Sequence, residues 1–121
     1  MRKLLLVGDK PSSKNTDSAI AFIGTASHTR LQKWLAVILD NEAKIQLINR
    51  VDPRFDQHLI YATLNSFQII ALGEEASKAL IAYGVTNFFK LPHPSGRNRK
   101  LNDKQYEMKI LQECKTWLER G

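Results

Sequence analysis

The segment Leu91-Pro92-His93-Pro94-Ser95-Gly96-Arg97-Asn98-Arg99-Lys100 gathers a histidine, two prolines, a glycine and three cations in a stretch without hydrophobic periodicity. His93 could donate a hydrogen bond to an oxygen that gains negative charge. Ser95 and Gly96 are small enough for a backbone to approach closely, and Arg97, Arg99 and Lys100 could hold phosphates. This is the chemistry of a nucleic-acid site, although a solvated basic loop ahead of a helix would carry the same residue types. Two other short stretches are chemically equipped. In Gly8-Asp9-Lys10-Pro11-Ser12-Ser13 the glycine and proline suit a tight turn that exposes backbone amides, and the Asp9 carboxylate could orient water or a developing cation. An aspartate in a turn can equally bond its own backbone. Asn49 offers one acceptor and two donors at the end of an apolar run, enough to read the edge of a pyrimidine, and it also fits a plain strand-ending turn.

These stretches need elements to carry them, and the chain alternates short apolar runs with helical patterns. Residues Lys3–Val7, Lys44–Ile48, Phe67–Leu72 and Asn87–Lys90 read as buried strands, the first stopping at Gly8. Each precedes a helix. Leu31, Trp34, Leu35, Ile38 and Leu39 recur at helical spacing, with Thr29 and Gln32 as a capping box. Asp52-Pro53 sets a cap before a proline at the first helical position, ahead of Phe55, Leu59 and Ala62. Glu74–Tyr83 places Ala76, Ala79, Leu80 and Tyr83 on one side and ends at Gly84, a left-handed terminator. Asn102 with Gln105 is expected to cap a last helix with the stripe Tyr106, Ile110, Cys114 and Trp117. Four strand-helix pairs in strict alternation predict an α/β fold, a three-layer α/β/α sandwich around a four-stranded parallel sheet. In such a sheet ligands bind at the carboxyl ends of the strands, where Asp9, Asn49 and His93 all fall.

Composition narrows the class. The 121 residues fit one domain, 1–121, and the hydrophobic and charged fractions of 43% and 25% are those of a globular protein. A net charge of +6 favours a polyanionic partner such as nucleic acid. No apolar run approaches the length of a membrane span, and the apolar start is too short for a secretion signal, so an intracellular, cytoplasmic protein is expected. Cys114 is the single cysteine, which excludes a disulfide framework, a zinc ribbon or a four-cysteine cluster within one chain. His28, His58 and His93 have no metal-ligand spacing, so no metal is expected.

The ordered set of motifs resembles the uracil-DNA glycosylase superfamily over essentially the whole chain. Leu5-Leu6-Val7-Gly8-Asp9-Lys10-Pro11-Ser12 is similar to the family's first motif, a strand followed by glycine, two variable residues, proline and a small residue. Ala21-Phe22-Ile23-Gly24-Thr25 resembles the segment whose aromatic ring stacks on the flipped base. Ile45-Gln46-Leu47-Ile48-Asn49-Arg50-Val51 resembles the strand whose terminal asparagine reads the uracil edge, and Ile69-Ile70-Ala71-Leu72-Gly73 with Ala76 resembles the third strand and its helix. His93-Pro94-Ser95-Gly96-Arg97-Asn98 resembles the second catalytic motif. Compact members of this kind occur in bacteriophage genomes.

The resemblance implies a base-flipping enzyme that removes uracil, or a related deaminated or modified base, from DNA. Asp9 and His93 would be catalytic, and Gly8, Phe22 and Asn49 would bind the base. Lys10, Ser12, Ser95, Gly96, Arg97, Asn98, Arg99 and Lys100 would lie against DNA. No cofactor is implied, the cluster-binding cysteines of some branches being absent, and a monomer is expected. One departure stands out: Lys10 occupies the place where the best-known branches carry a catalytic acid or amide, and a cation there has the wrong sign beside an oxocarbenium-like sugar. Two other readings remain at this point. One is a member without chemistry that binds DNA or a protein partner. The other is a nucleotide- or phosphometabolite-binding domain using the turn from Gly8 to Ser13.

Overall fold

The computed structural model describes residues 2–8, 26–39, 43–92 and 103–120. The apolar runs form β1 (Arg2–Gly8), β2 (Ala43–Asn49), β3 (Gln68–Leu72) and β4 (Phe89–Leu91), and the helical patterns form α1 (Ala26–Ile38), α2 (Phe55–Leu64), α3 (Glu74–Ala82) and α4 (Lys104–Arg120). All strand pairs are parallel, in the order β2-β1-β3-β4. The central strand explains the layering. Leu4, Leu5, Leu6 and Val7 are all excluded from solvent, as a parallel strand covered on both faces requires. Leu4 and Leu6, with Ile70 and Leu72 of β3, pack under Leu31, Trp34 and Ile38 of α1 and Leu111, Cys114 and Leu118 of α4. Leu5 and Val7, with Ile69 and Ala71, pack under Phe55, Leu59 and Ala62 of α2 and Ala76 and Leu80 of α3. The result is the three-layer α/β/α sandwich expected from the alternation.

The chain steps from β1 to one flank through α1, then returns past β1 to β3 and β4 through α2 and α3 on the opposite face. Crossovers of one hand demand that change of face when the direction reverses. The reversal around β1 opens a crevice at the carboxyl edge of the sheet, and Gly8, Asn49 and Leu91 end strands there.

The helix ends refine the sequence reading. Gly84 takes φ 81°, with Gly84 N–H donating to Ile81 C=O at 2.9 Å and Val85 N–H to Leu80 C=O at 3.0 Å, so α3 ends in a Schellman motif as its glycine predicts. Tyr83 belongs to that cap; it is exposed and meets the Phe55 ring edge-on. Two capping expectations are corrected. Helix α1 begins at Ala26, so Thr29 lies within it and does not cap it. Helix α4 is capped by Asp103, whose Oδ1 accepts from Gln105 N–H at 3.0 Å and Tyr106 N–H at 3.2 Å. The carboxylate one residue beyond Asn102 suits the positive end of the helix better than an amide does. The buried line of α4 runs through Leu111, Cys114 and Leu118, with Tyr106, Ile110 and Trp117 flanking it.

Candidate base-binding site at the carboxyl edge

The site is built outward from β1 and β2. Their register pairs Gly8 with Asn49, and Arg50 N–H donates to Gly8 C=O at 2.8 Å, which carries the pairing one residue beyond the strand. Along β2, Ile48 packs with the α2 and α3 layer and Leu47 with the α1 and α4 layer, so alternation puts Asn49 on the face of Leu47. On that face Gly8 contributes no side chain beside it. Leu72 and Leu91, paired across β3 and β4 and both fully buried, continue the row as an apolar floor.

Asn49 is fully buried, and neither Oδ1 nor Nδ2 of its carboxamide has a hydrogen-bond partner. Trp34 Nε1 and Gln46 Oε1 are likewise buried and unpartnered, but neither stands at the carboxyl edge. An orphaned buried donor or acceptor costs roughly 1–3 kcal/mol. Two other buried polar side chains are satisfied: Ser77 Oγ donates to Gly73 C=O at 3.0 Å, and both carboxylate oxygens of Asp52 accept from Arg54. Asn49 thus holds an unused donor and an unused acceptor away from bulk solvent. A planar ligand edge carrying the complementary pair would satisfy both.

The turn after β2 holds Asn49 in place. Asp52 N–H donates to Asn49 C=O at 3.0 Å, and Phe55 N–H donates to Asp52 C=O at 3.0 Å, a tightened turn that precedes α2. Asp52 Oδ1 accepts from Arg54 N–H at 2.8 Å within the turn itself, and a third capping expectation is corrected: α2 starts only at Phe55, with Arg54 at its N-cap and no side-chain cap bond, so Pro53 is not its first residue and Asp52 does not cap it. The hydrogen bonds and charge of Arg54 hold the Asp52 carboxyl below its ordinary pKa, against the opposing effect of burial. Sequence reading assigned Asp52 to helix capping alone and missed its backbone bond to Asn49 C=O at the strand end. The signal was its distance of three residues from Asn49.

Of the residues expected at the site, Gly8 and Asn49 are brought together. Asp9, Lys10, Ser12, Phe22, His93, Ser95, Gly96, Arg97, Asn98, Arg99 and Lys100 lie outside the described residues. In chain order residues 9–25 follow the end of β1, and His93 follows β4 after Pro92. Three strand spacings separate the ends of β2 and β4, about 14 Å. Gly73 N–H donates to Leu91 C=O at 2.8 Å, and Glu74 pairs with Lys90, tying the end of β4 to the start of α3. A separate cleft of about 430 Å³, lined by Ser66, Phe67, Gln68, Asn87, Trp117 and Arg120, opens at the opposite, amino edge and takes no part in this site. Among the described residues no helix is long and apolar enough to cross a membrane.

The fold is a doubly wound three-layer sandwich with an unpaired carboxamide at the carboxyl edge of its sheet, the edge at which α/β folds of this kind bind ligands. The family model of the uracil DNA glycosylase superfamily matches residues 2–115, and the chain belongs to that superfamily. No curated protein and no solved structure matches it. Membership supports a DNA glycosylase-like function in general, with DNA as the partner.

Proposed function

We propose that the protein hydrolyses the N-glycosidic bond of uracil, or of a related deaminated base, in DNA. The observation that carries this reading is the fully buried carboxamide of Asn49, unpartnered at both polar atoms, beside Gly8 at the switch point of the sheet. The pyrimidine edge of uracil carries an N–H donor next to a carbonyl acceptor, the complement of what Asn49 leaves unused. A nucleotide extruded from the helix would place that edge against Asn49, with Phe22 stacked on the ring and the bare backbone at Gly8 leaving room for the base.

The chemistry then follows from charge. As the bond from the sugar C1′ to the base nitrogen breaks, the electron pair leaves with uracil and the sugar becomes oxocarbenium-like. His93 donates to the uracil oxygen that gains negative charge, and Asp9 holds the water whose oxygen bonds to C1′ and whose proton is released. Free uracil, after taking up a proton, and an abasic sugar are the products. Lys10 and Ser12, with Ser95, Gly96, Arg97, Asn98, Arg99 and Lys100, bind the DNA strand, which suits the net charge of +6. The side-chain amine of Lys10 serves a phosphate and not the sugar, since a cation there would oppose the developing positive charge. That same residue favours a second reading, a family member that binds DNA without cleaving the glycosidic bond.

An oligonucleotide with one uracil, treated with protein and then with alkali, separates the two. Breaks at the uracil, slowed about 100- to 1,000-fold by His93→Ala as for loss of one oxyanion donor, support the glycosylase. Retained DNA binding without breaks supports the second reading.

A further inference from the structure

Two buried polar residues, Asn49 and Asp52, stand three positions apart in the turn that closes β2, in opposite states. The Asp52 side chain, wholly excluded from solvent, accepts from Arg54 N–H at 2.8 Å, from Arg54 Nε at 3.2 Å and from Arg54 Nη2 at 3.3 Å. The Asn49 carboxamide accepts and donates nothing. An orphaned amide gains free energy from any local opening that lets water reach it. Here opening has an obvious route, because β2 is the edge strand of the sheet and Asn49 is its last residue.

Three backbone bonds oppose it: Arg50 N–H to Gly8 C=O, Asp52 N–H to Asn49 C=O, and Phe55 N–H to Asp52 C=O. Asp52 takes part in two of them. Its carboxylate then clamps Arg54 on the far side of Pro53, whose ring fixes the backbone between. We propose that Asp52 is a positioning residue, locking the turn after β2 so that the unpaired Asn49 carboxamide stays aimed into the crevice and does not relax toward solvent. This rests on the base-reading role of Asn49; Asp52 itself touches no substrate. An aspartate that merely capped α2 would support the fold without acting on Asn49.

The test compares Asp52→Ala, Asp52→Asn and, as an α2 core variant remote from the site, Leu59→Ala in the full chain. Three readouts are taken: kcat and KM on uracil DNA, inhibition by free uracil, and hydrogen exchange of the Arg50 amide. Positioning predicts that Asp52→Ala lowers kcat and weakens uracil inhibition by about 10-fold or more, short of the roughly 100-fold attached to a 1 Å misplacement. It also predicts that Arg50 exchange accelerates beyond the rise seen in Leu59→Ala. Asp52→Asn keeps an oxygen that accepts from Arg54 N–H and retains most of the uracil affinity. If Asp52→Ala does not accumulate folded, Arg54→Ala removes two of the three carboxylate bonds from a half-exposed side chain and should still speed Arg50 exchange. Unchanged uracil inhibition in the Asp52 variants, with Arg50 exchange no faster than in Leu59→Ala, overturns the proposal. A wild-type chain that neither binds nor releases uracil overturns instead the base-reading role, and the two failures are separable because exchange at Arg50 reports the lock without substrate.

Discussion

Replacing Asn49 by leucine should make the protein more stable and less active. Leucine has the same branching as asparagine and puts methyl groups where Oδ1 and Nδ2 stand, in a position wholly excluded from solvent. Both polar atoms lack partners, and each orphan costs roughly 1–3 kcal/mol, so their removal relieves about 2–6 kcal/mol. The slightly larger methyl groups press on a packed row and take back about 1–3 kcal/mol. A net gain of about 2 kcal/mol remains, a rise of roughly 10 °C in Tm for a domain of this size. The assay is reversible denaturant unfolding of wild type and Asn49→Leu, with m compared to confirm that both unfold alike, beside a thermal melt. A variant less stable than wild type would mean that the carboxamide contributes hydrogen bonds to the fold and is not orphaned. Gain of stability together with loss of base release is the signature of a group held for its ligand.

Other consequences are open to simple measurement. Burial pushes the Cys114 thiol up to about 12, so a thiol reagent at neutral pH should leave the native chain unmodified and label it fully once unfolded; fast native labelling would take Cys114 out of the core. Hydrogen bonds from Arg54 hold the Asp52 carboxyl below its ordinary pKa, so its contribution is complete above the unfolded pKa and is lost as pH falls through the lower folded value. The stability difference between wild type and Asp52→Asn should therefore be full at neutral pH and close below about pH 4, as followed by denaturant titration at each pH. Replacing Arg97, Arg99 and Lys100 together by alanine should flatten the slope of log binding constant against log salt by about 3, near 0.9 per lost phosphate contact, read by anisotropy on labelled duplex. An unchanged slope would remove those side chains from the DNA surface.

The fold was legible because each strand is a short apolar run and each helix a 3.6-residue stripe. Leu4 to Val7, apolar at every position, signals burial on both faces and so a parallel sheet. The ends were less legible for a local reason. Asn102 and Asp103 are both good caps, and choosing between them depends on where the chain leaves the sheet. On α4 the apolar side spans Tyr106, Ile110, Leu111, Cys114, Trp117 and Leu118, wide enough that only packing against β3 and β4 decides that Leu111 and Leu118 form its centre. At the site, the residue type and strand-end position of Asn49 could be read directly. Its burial and lack of partners could not, because they follow from the order β2-β1-β3-β4, which sets Asn49 beside Gly8. The bracing role of Asp52 was hidden likewise, since an Asp-Pro pair before a helix reads first as a cap.

The most direct measurement is chromatographic detection of free uracil released from uracil-containing DNA by wild type and by Asn49→Leu. Wild type should release uracil, with a loss of about 10- to 100-fold in the variant, the value of one bidentate pair to a base edge. Release at equal rates from both, or none from wild type, would contradict the base-reading role of Asn49.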